Sequence, residues 1–170
     1  MKKSYLIYFF ILLSSLCYSQ GFETKQGGHV YSLEVPNYLK KTYDLNGVAT
    51  LEYKNLIKDV YLVVVEDEKE ELKSVEMEFS NSNEFLEYFI KDYYIDAEKR
   101  ELSETKEFNN NGNKFSQVEL TFQDADGEYF MLITIVETKT HFYKILNWTA
   151  LKNKDKYYKD FIKTAKSLQD

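Results

Sequence analysis

The chain has 170 residues and a single cysteine, Cys17. If the first nineteen residues are removed, the remaining domain has none. Disulfides, thiolate metal sites and cysteine nucleophiles are then excluded. Proline occurs once, at Pro36, and histidine twice, at His29 and His141. Neither histidine has a His or Glu three or four residues after it in a helical context, so no helix-borne zinc motif is present. Glycine occurs six times and forms no Gly-x-Ser-x-Gly elbow, P-loop or dinucleotide fingerprint. Positive charge is also short: 22 basic residues face 28 acidic ones. Loss of Lys2 and Lys3 with a leader leaves 20 against 28, a net charge of −8. Such a balance disfavours nucleic acid, whose phosphates need a basic face. No apolar run reaches the ~20 residues that span a bilayer.

What the chain does have begins with an address. Lys2 and Lys3 precede the apolar run Tyr5–Leu13, and small residues follow. This is the order of a secretory signal peptide over residues 1–19, with cleavage between Ser19 and Gln20. The protein is expected in the periplasm or outside the cell. Cys17 permits a second reading, lipid attachment, although bulky Leu16 stands where a lipoprotein signal wants a small residue. Residues 20–28 are polar and Gly-bearing and read as a flexible leader. Residues 29–170 form one domain, of a size for one core.

Aromatic residues are abundant, with 15 Tyr, 12 Phe and one Trp. They mark out the elements. Lys114–Phe122, Glu128–Val136 and His141–Thr149 read as three consecutive strands, separated by Asp124-Ala125-Asp126-Gly127 and Glu137-Thr138-Lys139-Thr140. The second and third carry apolar residues on both alternating faces, so both faces of the sheet need cover. Val30–Val35, ended by Pro36, Val48–Lys54 and Val60–Val65 read as three more strands, forming the other half of the sheet. Glu104–Phe108 is a weaker strand, and Glu66–Lys73 a charge run that reads as a solvated loop or a helix start.

Two helices supply the cover. Asn83–Asp96 places Phe85, Phe89, Tyr93 and Leu86, Ile90, Tyr94 on adjacent rows, with Asn81 and Glu84 as a capping-box-like pair. Asn153–Leu168 does the same with Tyr157, Phe161, Ala165 and Leu168, capped by Asn153. It is expected to close the face near Trp148. The fold class is therefore α+β: an antiparallel sheet of about six strands with helices on both faces, an α/β/α sandwich.

The chemistry is sparse. Asp124-x-Asp126-Gly127 has the opening of a calcium loop but lacks the later ligands, and a hairpin turn explains it. Asn147-Trp148-Thr149 matches the glycosylation pattern inside a strand that reads as buried. No catalytic set, cofactor motif or metal site emerges. Two functions lead, ahead of a third, a hydrolase using a carboxylate pair that no motif singles out. One is a non-catalytic module that binds or stabilises a protein complex. The other is a small-ligand binder using an aromatic cleft between helix and sheet, with Tyr93, Tyr94 and Trp148 as candidate contacts.

Val30-Tyr31-Ser32-Leu33-Glu34-Val35-Pro36, the aromatic helix Phe85–Tyr94, the Gly112 turn, the Gly127-Glu128-Tyr129 hairpin and the closing helix ending at Ser167-Leu168 together resemble the PsbP-like, or Mog1/PsbP, superfamily. The resemblance covers about His29 to Leu168. It implies an antiparallel sheet with helices on both faces, and a role as an interaction module rather than an enzyme. Members include an extrinsic photosystem II subunit and a binder of the Ran GTPase. Neither setting suits an exported chain whose signal resembles those of Bacteroidetes proteins, and no partner-binding residue carries over.

Overall fold

The computed structural model describes residues 21–28 and 31–170. The signal segment, Cys17, the Ser19–Gln20 junction, His29 and Val30 lie outside them. Ten strands and three helices follow in order: β1 (Phe22–Gly27), β2 (Tyr31–Pro36), β3 (Lys40–Lys41), β4 (Leu51–Asn55), β5 (Val60–Glu68), α1 (Lys69–Ser74), α2 (Ser82–Asp92), β6 (Glu98–Leu102), β7 (Lys106–Asn110), β8 (Asn113–Asp124), β9 (Gly127–Glu137), β10 (His141–Ala150) and α3 (Lys154–Lys166). The main sheet has eight antiparallel strands in the order β3-β4-β5-β10-β9-β8-β6. β7 pairs with the other half of the same edge of β8.

The expected meander β8-β9-β10 is the centre of this sheet. It is long because its turns suit tight hairpins. Asn111 and Gly112 both have positive φ, 51° and 81°, which the two-residue β7–β8 turn requires. At the β8–β9 turn, Asp124 Oδ1 accepts from the amides of Asp126 (2.8 Å) and Gly127 (3.2 Å). That oxygen closes the hairpin, as the turn reading requires.

Both faces are covered. On the first, α3 and β2 bury Tyr31, Leu33, Leu62, Phe130, Leu132, Ile145, Tyr157 and Phe161. On the second, α1, α2 and the chain just after α2 bury Val63, Phe85, Leu86, Leu120, Met131, Ile133 and Phe142. Most apolar side chains are used in these two layers, each worth roughly 1.5–3 kcal/mol when fully buried.

Several expectations need correction. Phe22–Gly27 is a strand, not a loose leader: every residue pairs with β2, Lys163 Nζ stands 3.7 Å over the Phe22 ring, and Gly27 leaves room for the Tyr31 ring against the backbone. β2 does not join the main sheet. With β1 it makes a separate two-stranded layer beneath α3. The strand count is eight in the main sheet rather than about six, because both arms of Glu98–Asn110 add to the β8 edge and Lys40–Lys41 to the other. The charge run divides: β5 continues through Glu68, which the sequence did not indicate, and α1 begins at Lys69, as the helix-start reading expects. Its charges are consistent with a strand because Lys144 on β10 pairs with Asp67 at 2.6 Å.

Helix α2 starts where the sequence indicated. Asn81 Oδ1 accepts from the amides of Asn83 and Glu84, both at 2.9 Å. Glu84 reaches back to Ser80 N rather than to the cap residue itself. A further carboxylate serves the same helix end: Glu137 Oε2 accepts from Ser82 N at 3.1 Å. α3 differs, since the Asn153 side chain makes no cap hydrogen bond. A 3₁₀ turn, Leu151–Asn153, leads into α3 and puts Asn153 in helical backbone.

Candidate functional site

Strand register decides which aromatics meet. Tyr61 on β5 lies opposite Trp148 on β10, and Trp148 lies opposite Met131 on β9. One step further along the strands, Tyr129 on β9 lies opposite Phe122 on β8. Period-2 alternation sets all of these on the second face. α2 spans only eleven residues and β9 spans eleven. At 1.5 Å per helical residue against about 3.3 Å per strand residue, the helix is about half the strand's length. At this end of the face Tyr61, Tyr129 and Trp148 stay partly exposed.

The result is an aromatic strip. Tyr61 and Trp148 stack with centroids 4.9 Å apart and planes at 10°. Tyr129 and Phe122 lie 5.6 Å apart at 24°. Tyr94 covers Phe122 at 4.1 Å and meets Tyr93 edge-on at 4.8 Å. Tyr61, Tyr94, Phe122, Asp124, Tyr129 and Trp148 line a depression of about 110 Å³. A second, larger hollow of about 470 Å³ lies on the other side of Tyr129, lined by Asp59, Asp126, Glu128 and Lys152 among others.

Two backbone positions hold this end in shape. Tyr94 has φ +55° and Asp59 has φ +54°. A bulky side chain in the left-handed region is uncommon and costs of order 1–3 kcal/mol. Extended backbone at Tyr93 ends α2, and the left-handed Tyr94 that follows sets its ring on Phe122. Arg100 supports the same corner. It donates from Nη2 to Ile90 O (2.7 Å) and from Nε to Tyr93 O (3.1 Å), where a helix end favours a cation.

The electrostatics are one-sided. Burial raises the Tyr61 hydroxyl to about 12, helped by Asp59 beside it. Burial also raises Tyr94 and Tyr129, followed in each case by the carboxylate of Asp124. Tyr129 further feels Asp59 and Asp126. Phenolate formation is thus disfavoured, and the strip presents neutral aromatic faces among carboxylates.

Of the residues singled out from sequence, Tyr94 and Trp148 do line one depression. Tyr93 does not; it stands behind Tyr94, half-buried against Phe89. Trp148 lies on the α2 face, not near α3 as expected, because it alternates with Asn147, which points into the first layer. Asn147 is buried, so the glycosylation pattern is out of reach of an enzyme. His141 sits beside Thr140 Oγ1 at 2.8 Å and 3.9 Å from Asp170. Among the described residues no group of three metal-ligating side chains gathers around it or around Asp124 and Asp126. Sequence reasoning missed Tyr61, Tyr129 and Asp59. The available signal was the pairing of Val60–Val65 with the third meander strand, which sets Tyr61 against Trp148.

No protein-family model matches the chain, and no curated protein matches it in sequence. Solved structures do match. Cyanobacterial PsbP (CyanoP) from Synechocystis superposes with a TM-score of 0.67 at 16% identity, over 88% of this chain and 92% of that one. The Ran-binding protein Mog1p of Saccharomyces cerevisiae gives 0.59 at 10% identity, over 89% and 96%. LpqN, involved in cell envelope biogenesis of Mycobacterium tuberculosis, gives 0.54 at 10% identity, over 88% and 91%. Identities this low speak for architecture alone. With the antiparallel sheet and its two covering layers, they establish that the chain has a PsbP/Mog1-like fold.

Proposed function

We propose that the chain is a non-catalytic interaction module of the bacterial cell envelope, exported to the periplasm or beyond, that docks a protein partner through the aromatic end of its sheet. One observation carries this reading: a strip of Tyr and Trp rings remains at the surface after the helices have covered the rest of both faces. Tyr and Trp are enriched at protein interfaces, where they contribute large contact area at low entropic cost. The adjoining β4–β5 turn exposes Leu56 and Ile57, the latter almost fully, and Ile95 is exposed beside Tyr94. Support from similar folds is general: Mog1p is a Ran-binding protein and LpqN is involved in cell envelope biogenesis. No helix among the described residues is long and apolar enough to cross a membrane. Attachment through a lipid on Cys17 is the alternative to a free exported form.

The depression at Tyr94 and Trp148 also suits the second reading, a small ligand held between rings. A photo-cross-linking residue placed at Tyr129, and as a control at exposed Lys159 on α3, separates the readings in cells making the full chain. A discrete protein adduct from position 129 and none from 159 supports the module. No adduct from either, with a saturable thermal shift from a small-molecule library, supports the ligand reading.

A further inference from the structure

The partner's chemistry can be narrowed, on the reading that this end of the sheet is a docking surface. Three carboxylates border the rings: Asp124 lines the depression, and Asp59 and Asp126 line the adjoining hollow. None has an ion-pair partner among the described residues. Most of the nearby cations have partners other than these three carboxylates. Lys54 binds Asp44 at 2.6 Å, Lys99 binds Glu128 at 2.5 Å, and Arg100 is held by the carbonyls at the end of α2. Lys152 is the one basic residue lining the larger hollow, against Asp59, Asp126 and Glu128.

The π-faces of Tyr61, Trp148, Tyr129 and Tyr94 carry negative quadrupole density, and the surrounding carboxylates add to it. A neutral apolar partner would not use those charges, and an anionic one would be repelled. A planar cation would be stabilised twice, by stacking on the rings and by pairing with the carboxylates. The depression, at about 110 Å³, suits one side-chain head group rather than a bulky ligand.

We propose that this surface captures an arginine side chain presented by a basic segment of the partner protein, with the guanidinium over the aromatic strip, Asp124 pairing with it, and Asp126 adding its negative field from across Tyr129. Guanidinium is favoured over ammonium because its flat, weakly hydrated plane matches stacked rings.

Trp148 is the only tryptophan, so its fluorescence reports the site without a label. The full chain is titrated with acetyl-Gly-Arg-Gly-Arg-Gly-amide, with the same peptide carrying lysine, and with its neutral citrulline analogue. The expected result is a saturable change with arginine, weaker binding with lysine and no saturable change with citrulline. Asp124→Asn with Asp126→Asn should weaken the arginine peptide by about 5-fold or more while keeping the hairpin turn, since Asn also forms it. Tyr129→Leu, which leaves the charges untouched, should weaken it as well, and the melting temperatures of all variants are measured alongside. Equal responses to arginine and citrulline would overturn the proposal. So would undiminished affinity in the folded Asn double variant, or a saturable response to a neutral oligosaccharide with none to arginine. If position 129 cross-links a protein while the arginine peptide stays silent, this inference fails and the docking-surface reading stands.

Discussion

Tyr61 and Trp148 stack almost parallel across the β5–β10 pair, at directly opposed register positions, with ring centroids 4.9 Å apart. The two rings belong to strands far apart in sequence and meet only because β10 inserts between β5 and β9. Stacked aromatic pairs contribute about 0.5–1.5 kcal/mol beyond their buried area. A double-mutant cycle with Tyr61→Ala and Trp148→Ala, read by urea unfolding, should return a coupling in that range. A coupling of zero would mean that the rings do not stack in solution.

Tyr94 sits at φ +55°. Alanine there keeps the backbone strain and loses the ring, whereas glycine loses the ring and relieves the strain. Tyr94→Gly should therefore be more stable than Tyr94→Ala by about 1 kcal/mol. In an ordinary helical or extended position the order would reverse. Thermal unfolding of the two variants decides it.

The two asparagines at helix starts should behave differently. Asn81→Ala removes an oxygen that accepts from two amides of α2 and should cost about 1 kcal/mol. Asn153→Ala removes no cap hydrogen bond and should stay within about 0.5 kcal/mol of the parent. Chemical denaturation of both variants tests the assignment.

That contrast also shows how far local pattern reaches. The meander, the α2 stripe and the Asn81 cap were legible because each is fixed by residues within a few positions of one another. The same logic misplaced β2 and missed β1. Their partners are each other and α3, and no local period says which layer a strand will join. Asn153 resembled a cap by type, but the 3₁₀ turn before it removed the geometry that a cap needs. Within the site, Tyr94 and Trp148 were found as surplus aromatics. Tyr61 and Asp59 were not, since their nearness to Trp148 and Tyr129 depends on strand order. Tyr93 was chosen because helical periodicity extends to it, yet α2 stops at Asp92 and its ring turns inward.

Two carboxylates should bend the acid limb of stability in opposite directions. Burial pushes Glu119 up, but the Lys154 ammonium at 2.6 Å and the Tyr158 hydroxyl at 2.9 Å outweigh it and hold its pKa below the usual 4.5. A lowered folded value gives stability that is present above the ordinary pKa and is lost as pH falls through the folded one. Asp160 is the reverse. Burial raises its pKa above 3.8 despite the hydrogen bond donated by Tyr38. Its protonation favours the folded state, so it adds stability as pH falls. Glu119→Gln should flatten the loss of stability toward low pH, and Asp160→Asn should steepen it. Urea midpoints across the range from about pH 6 to pH 3 test both signs.

The single cysteine, Cys17, makes the most direct measurement possible. In a Cys17→Ser background, a cysteine is placed by Tyr129→Cys on the aromatic strip or by Lys159→Cys on the outward side of α3. Each full chain is labelled with a small maleimide, once purified and once in the cells that make it. If the strip is where a partner docks, position 129 labels readily in the purified chain and is protected in cells, while position 159 labels in both. Equal labelling of position 129 in both settings would contradict the account.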